Sequence, residues 1–285
     1  SPTKLHSDKP NLPKWKGEIL QQKEKLLIIS EQGLGDTIQF MRYIPFLRSQ
    51  NIDISFCAEN KLHTLIKSSK IDQNPIMPND VNQVKEGKWI ELLSLPKYLD
   101  ISSNHPIVNN PYLKASEKLV RKWKDILSFE KQPVIGINWQ GNPNTEKNEL
   151  RGRSLPLEIF SHIAKRKQSK FLSLQKGPGS EQLKNCSFIN NFVSCQEKIN
   201  ETWDFSENAA IISNCDLIIT CDTSLAHLAG GIGANVWLLL KDIPEWRWGI
   251  NNPTTFWYPN MRLFRQKEAH NWNEVMDRVL LELNK

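Results

Sequence analysis

Four short stretches of the chain carry residue types that could act on an anionic, hydroxyl-bearing ligand. The first is Gly33-Leu34-Gly35-Asp36. Two glycines let the backbone turn sharply and come close to a ligand. A helix that follows would offer free N–H groups and a positive dipole end. Asp36 then has two readings: a carboxylate that caps the helix, or one that takes a proton. From spacing alone the cap is favoured. The dinucleotide fingerprint needs a third glycine where this chain has Ile38, so a nicotinamide dinucleotide is disfavoured. No acidic residue stands out on the following strand end to hold a ribose, and Glu59 is a loose candidate.

The second stretch runs from Trp139-Gln140-Gly141-Asn142-Pro143 to Arg151-Gly152-Arg153-Ser154-Leu155-Pro156. Basic groups at a strand's carboxyl end suit a diphosphate, although Arg151 alone reads as a solvated loop residue. The third, Gln175-Lys176-Gly177-Pro178-Gly179, brings another positive charge to a strand end. The fourth is Cys221-Asp222-Thr223-Ser224-Leu225-Ala226-His227. An apolar strand here runs into a small polar turn and then a helix, whose first N–H groups can hold phosphate oxygens. Asp222 is poorly placed for phosphate and better placed for sugar or ribose hydroxyls. His227 falls one turn into the helix and is as readily a packed structural histidine as a ligand contact.

Ten of the 285 residues are tryptophan, and sugars stack on aromatic faces. Trp123 and Trp237 lie on apolar strips and read as core. Trp246 and Trp248, in a loop beside Pro244, are the better cleft candidates. Arg247 between them reads either as an anion contact or as a surface charge.

The elements that must position these residues follow from the pattern of apolar positions. Lys25–Ser30 is a short apolar run, the mark of a strand buried on both faces. A glycine turn follows, then helical spacing from Thr37 to Ser49 that Pro45 would kink or shorten, then a strand over Ile52–Cys57. That is the βαβ unit of a parallel sheet. A short helix is expected at Leu62–Ile66, a strand at Trp89–Leu93 and an amphipathic helix from Ser116 to Phe129. A second series begins after Pro133: strands at Val134–Trp139, Lys170–Leu174, Ser187–Val193, Asp216–Cys221 and Asn235–Leu240, with helices near Ile159–Ala164, Phe205–Ser213 and Ser224–Gly231. The reading is α/β, two Rossmann-like domains facing across a cleft: residues 1–130, with an extended arm over 1–22 pinned by Trp15, and residues 131–285. A terminal amphipathic helix over 273–283 could fold back onto the first domain. Parallel sheets bind ligands at the carboxyl ends of their strands, which is where all four stretches fall.

Composition bounds the rest. The formal charge of +6, with 39% hydrophobic and 24% charged residues, fits a soluble globular protein. The surplus could serve an anionic ligand, nucleic acid or an acidic membrane face, or solubility alone, the commoner explanation. No apolar run reaches the ~18 residues of a membrane span, and peripheral contact with a membrane stays open. The first residues have no apolar signal core, and the absence of a starting Met suggests a piece of something longer. Five cysteines without a CxxC pair argue against a disulfide framework or zinc site and for a reducing cytoplasm. Six histidines show no metal-binding spacing. No basic aromatic strip or known module supports nucleic acid as partner.

The order and wording of the motifs add a resemblance. Glu31 to Phe40, Leu92-Leu93-Ser94-Leu95-Pro96, Trp139-Gln140-Gly141-Asn142-Pro143, Arg153-Ser154-Leu155-Pro156-Leu157, Ser173-Leu174-Gln175-Lys176-Gly177, Asp222 to Gly230, and Trp246-Arg247-Trp248 to Met261–Gln266 resemble the glycosyltransferase family 9, heptosyltransferase-like domain, of the kind that follows tetratricopeptide repeats. The resemblance covers most of the chain from Trp15 on and is weak over 58–88. It implies a GT-B fold whose second half binds a nucleotide-sugar and whose first half binds an acceptor, a glycan or a protein. It implies an inverting, metal-independent transfer with no cofactor, and the chain has no Asp-x-Asp. By that resemblance Asp36 is the general base. Arg153, Lys176 and the Thr223-Ser224 helix end neutralise the departing diphosphate, and Asp222 holds donor hydroxyls. Trp139, Gln140, Gln175 and His227 complete the donor side; Gly33, Gly35, Gln39, Trp246 and Trp248 line the acceptor side. The alternative is an inactive member that keeps the fold and binds a nucleotide, sugar or partner protein.

Overall fold

Leu26-Leu27-Ile28-Ile29 is wholly buried in strand β1 (Lys25–Ile29), as an unbroken apolar run requires. The computed structural model describes residues 7–20, 24–108, 110–147, 150–165 and 168–285. β1 is the middle strand of a parallel three-stranded sheet, between β2 (Asp53–Cys57) and β3 (Lys88–Glu91). The expected arm lies along the free edge of β3: Trp15 N–H donates to the Trp89 carbonyl at 2.8 Å, and Trp89 N–H to that of Pro13 at 3.0 Å. Trp15 is buried against Tyr98. Residues 1–6 and 21–22 of the arm lie outside the described residues.

The helical stretch after the glycine turn is two helices, α1 (Leu34–Phe40) and α2 (Tyr43–Ser49). Pro45 falls in the first turn of α2, where a backbone N–H would have no partner within the helix. The longer helices that follow before the second sheet are α3 (His63–Ser68) and α4 (Glu117–Leu127).

The second sheet is also parallel, with strands β4 (Val134–Asn138), β5 (Lys170–Ser173), β6 (Leu217–Cys221), β7 (Val236–Leu240) and β8 (Met261–Arg265) in the order β5-β4-β6-β7-β8. Its principal helices are α5 (Phe205–Ile212), α6 (Ser224–Gly231) and α7 (Trp272–Leu283). Two expectations are corrected here. Ser187–Val193 is not a strand: Phe192 makes a single bridge to Phe171, and the Phe171, Phe188 and Phe192 rings pack together at 5.6–6.0 Å, so their apolarity serves the core without a ladder. The additional strand is β8, an edge strand whose exposed Arg262 interrupts the apolar run that marks a central strand.

The terminal helix does not fold back on the first domain. α7 buries Trp272, Val275, Met276 and Val279 against Phe160 and Ile163 beside the second sheet, because that face needs its apolar stripe. α4 also packs on the second half: the Trp123 indole donates to Glu207 at 3.2 Å, and the Asn214 amide to the Val120 carbonyl at 3.1 Å. The crossing between halves comes earlier, where Tyr112 and Leu113 N–H both donate to the Gly231 carbonyl at 3.0 Å. One core cluster runs through both sheets, joining Ile28 and Phe56 to Ile218 and Leu238. Among the described residues no helix is long and apolar enough to cross a membrane.

In each sheet the chain leaves its first strand on one side and returns on the other. The switch points are therefore β1/β3 and β4/β6, and ligands bind beyond the carboxyl ends of strands at such points. α1 starts at the first and α6 beside the second. The two helices pack directly against each other.

Candidate active site between the two sheets

Asp36 is the third residue of α1, and the capping reading of it holds. Its Oδ2 accepts the Gly33 N–H at 2.9 Å, which ties down the turn that starts the helix. Its Oδ1 faces the other half of the molecule and accepts from Arg247 Nη2 at 2.6 Å. Gly35 makes this meeting feasible. A Cβ there would lie 2.9 Å from the His227 ring and 3.3 Å from Ser224 Cα, so only glycine lets the start of α1 touch the start of α6.

Arg247 is the hub between the halves. Its side chain is only 9% exposed, and it uses every edge of its fork. Nε donates to Glu245 at 2.6 Å, Nη1 to the Gln39 amide oxygen at 2.7 Å, and Nη2 to Asp36. Nη1 also lies 3.4 Å from His227 Nε2. Asp36 and Glu245 hold its pKa above the ordinary arginine range against the cost of burial. A guanidinium only donates, so His227 Nε2 is the accepting nitrogen and Nδ1–H donates to Tyr258 Oη at 2.9 Å. Burial, then Arg247 and Arg42, push the His227 pKa well down, so the ring is neutral and its tautomer is set.

Behind this cluster sits Arg42, a buried cation from the first half. It donates to the carbonyls of Gln39 at 2.7 Å, Trp257 at 2.8 Å and Val108 at 3.1 Å. Its guanidinium lies 4.6 Å from the Tyr112 ring and 4.7 Å from the Tyr258 ring. Tyr112 Oη in turn donates to the Ile38 carbonyl at 2.8 Å. Glu31, at the carboxyl end of β1, is also buried and accepts from Leu92 N–H at 3.0 Å and Leu93 N–H at 2.9 Å. Burial raises its pKa to about 8, with those amides opposing the rise.

In the second half, three strand ends are held by a buried amide pair. Asn138 Nδ2 donates to Gln175 Oε1 at 2.7 Å, which also accepts the Trp139 and Gln140 N–H groups at 3.2 and 3.0 Å. Asn138 Oδ1 accepts from Thr220 at 3.1 Å and from Thr223 at 3.0 Å. Thr223 then caps α6 through the Leu225 N–H. Arg153 lies over this frame. Its Nε donates to Glu146 at 3.2 Å and its Nη1 to the Asp222 carbonyl at 3.1 Å. Its guanidinium rests on the bare Cα of Gly141, where a Cβ would come within 2.6 Å of Arg153 Cζ. Ser154 bridges Glu146 and the Gly141 N–H. The Asp222 carboxyl is half-buried. Lost hydration raises its pKa, while Arg247 and then, more weakly, Arg153 oppose the rise.

The structure thus brings Gly33, Gly35, Asp36 and Gln39 of the first half to Asp222, Thr223, Ser224, His227 and Arg153 of the second. Of the expected ligand contacts, the Trp139, Gln175 and Trp248 side chains are buried away from the gap. The Trp139 side chain is fully buried and donates to the Gly179 carbonyl. Gln175 is buried as the strand-end hub. Trp248 is 2% exposed and stacks on His227 at 5.4 Å, so it supports the site from below. The Gln140 amide accepts from Gln182 at 3.2 Å. Lys176 donates to the Ile199 carbonyl and lies 3.4 Å from Thr202 Oγ1, and burial lowers its pKa to about 8. Trp246 is 67% exposed at the rim, with its ring 5.6 Å from the Arg247 guanidinium. The sequence marks Arg247 through the Trp246-Arg247-Trp248 block without deciding its role, and Glu245, Glu146, Tyr258, Tyr112 and Arg42 carry no local signal of their own. Among the described residues no three His, Cys, Asp or Glu side chains gather as metal ligands.

Two parallel sheets with facing switch points define a GT-B fold, and the solved structures similar to this one give it a family resemblance. A glycosyltransferase of family 9 from Veillonella parvula superposes with a TM-score of 0.58 at 13% identity, covering 92% of each chain. The ADP-heptose lipopolysaccharide heptosyltransferase II of E. coli gives 0.54 at 12% identity, over 92% of this chain and 100% of that one. The dodecameric iron-containing glycosyltransferase TibC of E. coli gives 0.53 at 14%, over 91% and 68%. The fold is that of the family 9 glycosyltransferases. In sequence, Protein FlbA of Caulobacter vibrioides is 23% identical over 294 residues, which is 95% of this chain and 48% of that protein. The chain spans about half the length of this curated relative. No protein-family model matches the chain.

Proposed function

We propose that the chain is an inverting glycosyltransferase that moves a sugar from a nucleoside-diphosphate donor to a hydroxyl of a glycan or protein, with no metal. The observation that carries this reading is the meeting of α1, which carries Asp36 and holds Arg247 through it, with the start of α6, where Arg153 donates to the Asp222 carbonyl. The acceptor oxygen attacks the anomeric carbon while the bond from that carbon to the diphosphate oxygen breaks. The hydroxyl proton passes to Asp36, and the electron pair leaves with the diphosphate. General-base help of this kind is worth about 10²–10⁴ in rate. Arg153 and the free N–H groups at Thr223-Ser224 neutralise the leaving diphosphate. Lys176 joins them by swinging away from the Ile199 carbonyl, and Asp222 accepts from donor hydroxyls. ADP is the nucleotide to test first. A similar E. coli heptosyltransferase was solved with ADP, and TibC with ADP-D-beta-D-heptose.

One observation favours a second reading, a binding domain without transfer: both guanidinia at the site already have carboxylate partners, Arg153 with Glu146 and Arg247 with Asp36 and Glu245. A thermal-shift screen of nucleoside diphosphates and their sugars identifies the donor, because a ligand of the folded state raises its stability. A transfer assay with that donor separates the readings. Asp36→Asn is expected to lower transfer at least ~100-fold with the nucleotide still bound, and transfer is expected to persist in chelator. Turnover by Asp36→Asn equal to that of the parent removes Asp36 from the mechanism. A donor that binds and is never transferred establishes the binding domain.

A further inference from the structure

We propose that Arg247 is shared between Asp36 and the donor: the guanidinium that holds Asp36 is the one the diphosphate takes, and its transfer frees Asp36 Oδ1 for the acceptor hydroxyl. This rests on the nucleotide-sugar reading above.

The geometry leaves Asp36 no idle oxygen facing the gap. Oδ2 is tied to the Gly33 N–H at 2.9 Å and Oδ1 to Arg247 at 2.6 Å. Each oxygen keeps a second lone pair, but the guanidinium occupies the side of Oδ1 that faces the other half, so an acceptor hydroxyl gains that position when Arg247 lets go. Arg247 is also within reach of a second anion. It lies 3.4 Å from His227 in the first turns of α6, and it is the leading positive influence on the Asp222 carboxyl at the end of β6. That is the place where the Thr223-Ser224 turn offers its N–H groups.

Charge balance favours the exchange. Glu146, Asp222, Glu245 and Asp36 are four carboxylates set around two guanidinia, Arg153 and Arg247. A diphosphate entering this cluster finds both guanidinia paired and the neighbouring His227 held neutral by burial and by its bond to Tyr258. Lys176 can be drawn in from the Ile199 carbonyl, but an arginine reaches the diphosphate only by competition with a carboxylate. Asp36 is the carboxylate whose release is useful. Its loss costs Arg247 one of its side-chain bonds, since Glu245 still holds Nε at 2.6 Å and anchors the stem of the fork. The Gln39 amide, which accepts from Nη1 at 2.7 Å, carries a buried Nε2 donor with no partner of its own. A rearranged Arg247 can leave that amide free to bond elsewhere in the gap. The device couples the two substrates: the face of Asp36 toward the gap opens as the leaving group takes Arg247.

The test is calorimetric titration of ADP into four proteins: the parent chain, Asp36→Asn, Arg247→Gln and the double variant. The exchange predicts that Asp36→Asn binds ADP about tenfold tighter than the parent, about 1.4 kcal/mol, because the competitor for Arg247 is weakened. In the Arg247→Gln background the same change is expected to gain less than about twofold, so the cycle reports the coupling directly. Arg247→Lys keeps the charge without the fork and is expected to give an intermediate gain. It also serves if circular dichroism shows that Arg247→Gln does not fold. An unchanged ADP affinity in Asp36→Asn overturns the exchange, and so does an equal gain with and without Arg247. Failure of both the parent and Asp36→Asn to bind ADP, or any nucleoside diphosphate, overturns the nucleotide reading itself and the exchange with it.

Discussion

Gly141→Ala isolates the part of the site that holds the diphosphate. No positive φ is involved, so the backbone accepts alanine and the effect is steric. The added Cβ would sit 2.6 Å from Arg153 Cζ and Nε, where non-bonded carbon contacts are ordinarily about 3.5–4.0 Å. The guanidinium must therefore retreat by about 1 Å. Its bonds to the Asp222 carbonyl at 3.1 Å and to Glu146 at 3.2 Å already lie at the long end of the range, so that retreat breaks both. A charge-assisted bond to a phosphate oxygen is worth about 1.5–3 kcal/mol, so ADP affinity is expected to fall about ten- to a hundredfold. Stability is expected to fall by about 1–3 kcal/mol, because two charge-assisted bonds are lost and glycine-to-alanine stiffening of the unfolded chain offsets only part of that. Calorimetry measures the affinity, and a melting curve confirms that the fold survives. In an Arg153→Ala background, Gly141→Ala is expected to add nothing. An ADP affinity within twofold of the parent in Gly141→Ala, with a marked loss in Arg153→Ala, refutes the claim that Gly141 seats the arginine.

Two further substitutions probe the frame behind the site. Glu31 holds its proton to about pH 8 in the folded chain against an ordinary value of 4.5, so between these values folding takes up a proton and stability falls as pH rises. The slope is about 1.4 kcal/mol per pH unit and amounts to several kcal/mol over the window. Glu31→Gln should flatten the melting temperature across pH 5–8, and parallel profiles for the two proteins would falsify the assignment. Arg42→Ala leaves the Gln39, Val108 and Trp257 carbonyls without their donor, at about 1–2 kcal/mol each, so urea denaturation should show a loss of about 3–6 kcal/mol. Arg42→Lys is not expected to rescue it, because an ammonium cannot reach all three carbonyls while lying flat between the Tyr112 and Tyr258 rings.

What the sequence determines by itself is local. Apolar runs such as Leu26–Ile29 and Ile218–Thr220 specify buried parallel strands, because a strand covered on both faces cannot alternate. The glycine turn before Asp36 and the polar turn at Asp222-Thr223-Ser224 mark helix starts, because capping chemistry acts over three or four residues. The tertiary structure alone decides what those ends face. Asp36 and Arg247 are 211 residues apart, and Arg42 and the Trp257 carbonyl 215. Nothing in the spacing of either pair encodes the contact. It depends on the order of strands in two sheets and on how closely α1 and α6 approach at Gly35. Burial of Trp139, Gln175 and Trp248 was equally illegible. An aromatic or amide at a strand end can line a cleft or seal the layer beneath it, and only neighbours brought from distant parts of the chain determine which.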